Sequence, residues 1–60
     1  MNKKQRFLKI YANLPLGVRN EIVLMLDGEP ITWDVAYIEV SSDTKTSTEI
    51  LDKLEKLGII

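Results

Sequence analysis

The chain has 60 residues and a formal net charge of −1, and its 45% hydrophobic and 28% charged content indicates a folded domain rather than a disordered tail. It contains neither cysteine nor histidine, which excludes a disulfide framework, a thiolate zinc site and the usual acid–base catalyst near neutral pH. We therefore expect a single domain over residues 1–60 that is not an enzyme and carries no cofactor or metal.

The small net charge hides a marked asymmetry along the chain. Residues 1–19 hold five basic residues and no acid, whereas residues 20–60 hold nine acids against three lysines. A basic end of this kind is typical of contact with nucleic acid, but two halves of opposite charge also fold readily against each other. Both interpretations stay open at the level of the sequence.

The first predicted element is a basic N-terminal helix over residues 2–12. This segment is free of glycine and proline, and Phe7, Tyr11 and Leu14 fall on one helical face. Its apolar positions are interrupted by Lys9, so the segment lacks the unbroken apolar centre of a secretory signal. The longest apolar run, residues 22–26, is too short to cross a bilayer, so we expect a cytoplasmic protein without membrane contact.

The second segment, residues 15–26, fits two structures. Val18, Ile22 and Met25 fall on a helical stripe that begins after Pro15, and Gly28 fits the left-handed residue that ends a helix. The run "IVLML" followed by Asp-Gly is equally a strand and turn, which would pair residues 22–26 with 29–32 in a hairpin. Because leucine and methionine favour helices, we predict a helix, with at most a very short strand at 29–32.

Two further helices follow. Thr32 can cap a third helix, in which Trp33, Ala36, Tyr37 and Val40 share one face. The last helix is expected to begin between Thr44 and Ser47, with Thr46 and Glu49 forming a capping box. Its apolar stripe is Ile50, Leu51, Leu54 and Leu57, and Gly58 ends it. The predicted fold class is therefore mainly all-α, with four helices.

The order of these elements over residues 18–60, from "VRNEIVLMLDGEPITWDVAYIEV" to "LEKLGII", resembles the core of a known family. It is similar to winged-helix transcription regulators of the arsenic-resistance and multiple-antibiotic-resistance types, without the β-wing. The resemblance implies a helix-turn-helix core over residues 15–58, in which residues 33–40 form the supporting helix and residues 44–57 the recognition helix. It places Lys45, Thr46, Ser47 and Thr48 in the major groove of duplex DNA.

The basic N-terminal helix would supply the charge that such a recognition helix lacks. Phosphate contacts position a protein on DNA, and four cations are candidates for them: Lys3, Lys4, Arg6 and Lys9. The expected function is thus a small DNA-binding transcription regulator, acting as a homodimer. The alternative is a protein–protein interaction module that docks on a larger partner and binds no nucleic acid.

Overall fold

The structure, a computed structural model, describes residues 2–60. Its elements in chain order are α1 (Lys3–Ala12), a single 3₁₀ turn (Leu16–Val18), β1 (Ile22–Leu26), β2 (Glu29–Thr32), α2 (Trp33–Ser41) and α3 (Lys45–Lys56). Within the described residues no helix is long and apolar enough to cross a lipid bilayer.

The prediction of a four-helix, all-α domain is wrong. Three α-helices accompany a two-stranded antiparallel sheet, and the helix predicted over residues 15–26 is not formed. Its first part is only the 3₁₀ turn, and its last part is β1, which pairs with β2. The hairpin alternative is therefore the correct one, and the short strand expected at 29–32 is one half of it.

The turn between β1 and β2 explains this outcome. Asp27 and Gly28 both have positive φ, +51° and +83°. Two consecutive residues of this kind form the two-residue turn that matches the twist of a hairpin. In the strand, Leu24 is buried on one face of β1 while Met25 lies on the other, half exposed. The predicted helical stripe placed Met25 in the core. That prediction is wrong, because the side chains of a strand alternate between its two faces and Met25 lies on the face opposite Leu24.

The three helices begin at side-chain caps. The Asn2 side chain accepts a hydrogen bond from the backbone N–H of Gln5, and Thr32 accepts one from Val35 at the start of α2. At α3 the cap is Thr44, whose hydroxyl oxygen accepts from the Ser47 N–H at 3.1 Å. The capping box predicted at Thr46 is therefore wrong, because α3 already begins at Lys45 and Thr46 lies inside its first turn, where a residue cannot act as the N-cap.

Every helix and both strands contribute to one core, whose buried members are Phe7, Leu24, Ile31, Ala36, Val40, Ile50 and Leu54. Phe7 of α1 stacks on Trp33 at the start of α2, with ring centroids 6.0 Å apart. After α3 the chain turns at Gly58, and the N–H of Ile59 donates to the carbonyl of Leu54 at 2.9 Å. Ile59 and Ile60 thereby fold back against the core.

Candidate functional site

The basic residues of α1 lie against acidic residues of α3. Lys3 Nζ is 2.7 Å from Asp52 Oδ1 and 3.3 Å from Glu55 Oε1, and Arg6 Nη2 is 3.0 Å from Glu55 Oε2. These pairs join residues about fifty positions apart in sequence. The basic N-terminal end and the acidic C-terminal end of the chain therefore form ion pairs with each other in the folded protein.

Lys4 makes a similar contact at the other end of α3. Its Nζ lies 2.9 Å from Oδ1 of Asp43, in the turn just before α3. The side chains of Lys3, Lys4 and Arg6 are each between one third and two fifths exposed. Three of the four cations expected at a DNA backbone thus contact carboxylates of their own chain. The fourth, Lys9, is exposed on α1.

The ion pairs of Lys3 and Glu55 shift three pKa values, those of Lys3, Asp52 and Glu55. The hydrogen bond from Lys3 lowers the pKa of the Asp52 carboxyl, and hydrogen bonds from Arg6 and then Lys3 lower the pKa of Glu55. In return, hydrogen bonds to Asp52 and Glu55 raise the pKa of Lys3. Lys3, Asp52 and Glu55 are thus each held in the charged form over a wider pH range than in an unfolded chain.

The two depressed carboxyl pKa values predict a fall in stability at acid pH. Their contribution is fully present above the ordinary values, 3.8 for Asp52 and 4.5 for Glu55, and is lost as the pH drops through the lower folded values. The melting temperature should therefore decline as the pH falls below about 4.5. The double variant Asp52→Asn/Glu55→Gln should have a lower melting temperature than the unmodified chain at neutral pH. Its melting temperature should also decline less when the pH is lowered.

Thermal melts between neutral and acid pH, followed by circular dichroism, measure this difference. Glu21→Gln is the matched control, since Glu21 is an exposed acid with no ion pair among residues 2–60. It should keep the acid decline of the unmodified chain. Identical declines in the double variant and the unmodified chain would contradict a stabilising role for these ion pairs.

The four residues predicted at the start of the recognition helix do not form one exposed patch. Ser47 is buried, and its hydroxyl donates to the Thr44 carbonyl at 2.6 Å. Thr46 is half-buried beside Glu49, whereas Lys45 and Thr48 are exposed. Of the basic residues of α1, Lys3 and Arg6 contact the C-terminal half of α3, whereas Lys4 contacts Asp43, two residues before Lys45.

A groove of about 400 Å³ opens between the hairpin turn, α2 and the first turns of α3. Three apolar side chains line it, Leu26 of β1, Ile31 of β2 and Val35 of α2, together with Thr46. Four carboxylates also line it: Asp27, Glu29, Glu39 and Glu49. No lysine or arginine is among the lining residues.

The groove carboxylates lack the ion pairs that α3 makes on its other side. None of the four takes part in a salt bridge within residues 2–60, although Glu39 accepts a hydrogen bond from the Thr44 hydroxyl. The apolar surface continues beyond the groove, because Ile38 lies one helical turn from Val35 and is 61% exposed. The site is thus an apolar surface bordered by concentrated negative charge.

Comparisons with protein-family models, with curated proteins and with solved structures find no match for this chain. Within residues 2–60 no group of three or more acidic side chains is arranged to hold a metal ion. The groove therefore has to be interpreted from its shape and charge.

The sequence does contain a signal for this site, although it is not a motif. Residues 20–52 hold eight acids and a single cation, Lys45. With so few basic residues nearby in the sequence, most of these acidic side chains cannot form an ion pair with a neighbour in the same segment. What the sequence could not show is that the hairpin places Asp27 and Glu29 beside Glu39 and Glu49.

A second cluster, also missed, holds α1 against α2. The Tyr11 hydroxyl donates to Asp34 Oδ1 at 2.6 Å, and its ring stacks on Tyr37 with centroids 4.3 Å apart. The Arg19 guanidinium lies 4.4 Å above the Tyr11 ring and donates to the Tyr11 carbonyl. The hydrogen bond to Asp34 raises the pKa of Tyr11. These contacts hold α1 and the segment after it against α2, although the buried Nε of Arg19 has no hydrogen-bond partner within residues 2–60.

Proposed function

We propose that the chain is a protein-docking module whose groove receives a basic, amphipathic segment of a partner protein. The observation that carries this proposal is the combination of an apolar floor, formed by Leu26, Ile31 and Val35, with four carboxylates that make no ion pair within residues 2–60. A lysine- or arginine-rich segment with one apolar face complements both properties.

The two parts of the groove would contribute differently. Apolar side chains of the partner, packed on Val35 and the neighbouring Ile38, would lose water and supply most of the affinity. The carboxylates at the rim stay hydrated, so they would mainly accelerate association and favour a cationic partner. Binding should therefore weaken as the ionic strength rises.

Binding to duplex DNA, which the sequence alone favoured, is the competing proposal. The tight turn between α2 and α3 and the exposed Lys45 support it. However, phosphate neutralisation dominates protein–DNA affinity, and Lys3, Lys4 and Arg6 would have to leave their carboxylate partners. The helix expected before the turn in the resembled family is also replaced here by β1. The charge distribution thus supports a cationic partner better than an anionic duplex.

Fluorescence anisotropy with three labelled probes tests the proposal. The probes are a designed helical peptide with leucine on one face and lysine elsewhere, the same peptide with glutamate for lysine, and a random-sequence DNA duplex. We expect the lysine peptide to bind at low salt and to weaken as salt is added. The glutamate peptide and the duplex should not bind.

Charge reversal locates the binding. Glu49→Lys, inside the groove, should weaken binding of the lysine peptide about tenfold, equivalent to ~1.4 kcal/mol. Glu21→Lys makes the same change in net charge outside the groove and should have a much smaller effect. Equal weakening by both variants, or no peptide binding at all, would refute the groove, and salt-dependent binding of the duplex alone would support the DNA proposal.

A further inference from the structure

The four groove carboxylates differ in how far they are removed from water. Asp27, Glu29 and Glu49 are exposed at the rim, whereas Glu39, in the last turn of α2, is half-buried. Within residues 2–60, Glu39 is also the one groove carboxylate that accepts a hydrogen bond. The groove therefore combines three hydrated acids with one that is partly desolvated and held in place.

The donor to Glu39 is Thr44, the N-cap of α3. Its hydroxyl donates to Oε2 of Glu39, while the hydroxyl oxygen accepts the N–H of Ser47 at 3.1 Å. The backbone N–H of Thr44 also donates to the Glu39 carbonyl, at 3.3 Å. Capping alone needs only an acceptor, and aspartate caps a helix at least as well as threonine. Because a hydroxyl can accept and donate at once, Thr44 fixes the Glu39 side chain in addition to capping α3.

We propose that Glu39 is the specificity-determining residue of the groove and that Thr44 is its positioning residue. This inference rests on the proposed docking of a cationic segment. A carboxylate pairs more strongly with a cation where water is partly excluded than at a hydrated rim. Because Thr44 already holds the Glu39 side chain, less rotamer freedom is lost when an ammonium group of the partner binds there. The rim acids thus guide the approach of the partner, and Glu39 retains it in the complex.

The two kinds of carboxylate should differ in binding kinetics, which stopped-flow fluorescence with the labelled lysine peptide measures. Rim charges act at a distance, so Glu49→Gln should mainly slow association, about two- to threefold. A partly buried pair acts in the complex, so Glu39→Gln should speed dissociation about tenfold and leave association nearly unchanged. Both variants remove one negative charge and keep the shape of the side chain. A change in net charge therefore cannot cause the difference between them.

Variants of Thr44 test its positioning role. Thr44→Val keeps the shape of threonine without the hydroxyl and should speed dissociation of the peptide about threefold. Thr44→Ser keeps the hydroxyl and should restore the original rate. Loss of the cap also weakens α3, so the deciding measurement is Thr44→Val in a chain that already carries Glu39→Gln. There it should have no further effect on dissociation if it acts through the carboxylate, whereas a purely structural effect would appear in both backgrounds.

The outcomes separate this inference from the proposed function. Faster dissociation in Glu39→Gln and in Thr44→Val, with recovery in Thr44→Ser, is the expected result. Equal dissociation rates for Glu39→Gln and Glu49→Gln would overturn the role of Glu39 and leave docking in the groove intact. An equal effect of Thr44→Val in both backgrounds would overturn the role of Thr44. Glu39→Gln leaves the Thr44 cap in place, so its result does not depend on the stability of α3. Failure of the unmodified chain to bind the lysine peptide would refute both proposals.

Discussion

Leu54→Ala is expected to lower the free energy of unfolding by about 2–5 kcal/mol. Leu54 is fully buried on α3, where it meets the rest of the core, and its carbonyl accepts the N–H of Ile59. Truncation would remove apolar contacts and leave a cavity that a small core cannot easily refill. Domains of this size have stabilities of only about 3–9 kcal/mol, so the variant should lose a large share of its total free energy of unfolding.

Urea denaturation followed by circular dichroism measures the loss. Leu57→Ala makes the same change in an exposed leucine at the C-terminal end of α3 and should cost less than about 1 kcal/mol. Leu51→Ala should fall between the two, because Leu51 is only partly buried. Equal losses for Leu54→Ala and Leu57→Ala would show that α3 does not pack as described.

The helices could be predicted from the sequence because their signals are local. Thr32 lies directly before an apolar helical stripe, and Ile50 and Leu54 recur at the spacing of α3, so cap and buried face follow from neighbouring residues. The start of α3 was less certain, because Thr44 and Thr46 are both able to cap. Thr44 is the cap in the fold, where its hydroxyl accepts from the Ser47 N–H and donates to the Glu39 carboxylate across the turn between α2 and α3. The second contact could not be anticipated from the capping pattern.

The hairpin could not be predicted with the same certainty. "IVLML" is a continuous apolar run, and such a run has no periodicity that separates a buried strand from a buried helix. Helix propensity differs between residues by only a few tenths of a kcal/mol, and the burial of Leu24 and Ile31 in the core outweighs it. Whether this segment forms a strand or a helix is therefore decided by tertiary packing, that is, by which of its side chains α1, α2 and α3 cover.

The interaction surfaces depend still more on long-range contacts. The sequence shows the charge of Lys3 and of Glu55, but not that they lie 3.3 Å apart in the fold. For the same reason it showed an excess of acids in residues 20–52 without showing which acids are paired. In the described part of the chain, residues 2–60, the acids on one side of α3 form ion pairs and the groove carboxylates on the other side form none. One acidic segment thus gives two surfaces of different chemistry.

Gly28→Ala is expected to destabilise the fold by about 1–2 kcal/mol, because an alanine in the left-handed region brings its Cβ too close to the following carbonyl. The φ of Gly28 is +83°, and a Cβ there would meet no other atom of residues 2–60 within 4 Å, so the cost is one of backbone conformation. Gly17→Ala is the matched control. Gly17 has equally open surroundings and no positive φ, so alanine should leave stability unchanged or raise it by about 0.4–1 kcal/mol.

A positive φ at Gly28 alone would also fit the end of a helix, so Asp27 separates the two structures. In the hairpin Asp27 has a φ of +51°, and Asp27→Ala should destabilise the chain by about 1 kcal/mol. At the end of a helix the same position would be right-handed, and alanine would be neutral or favourable there. Urea denaturation of Gly28→Ala, Asp27→Ala and Gly17→Ala therefore tests the hairpin. A lower free energy of unfolding in both turn variants but not in Gly17→Ala supports the hairpin. A higher free energy of unfolding in Asp27→Ala would instead support a helix over residues 15–26.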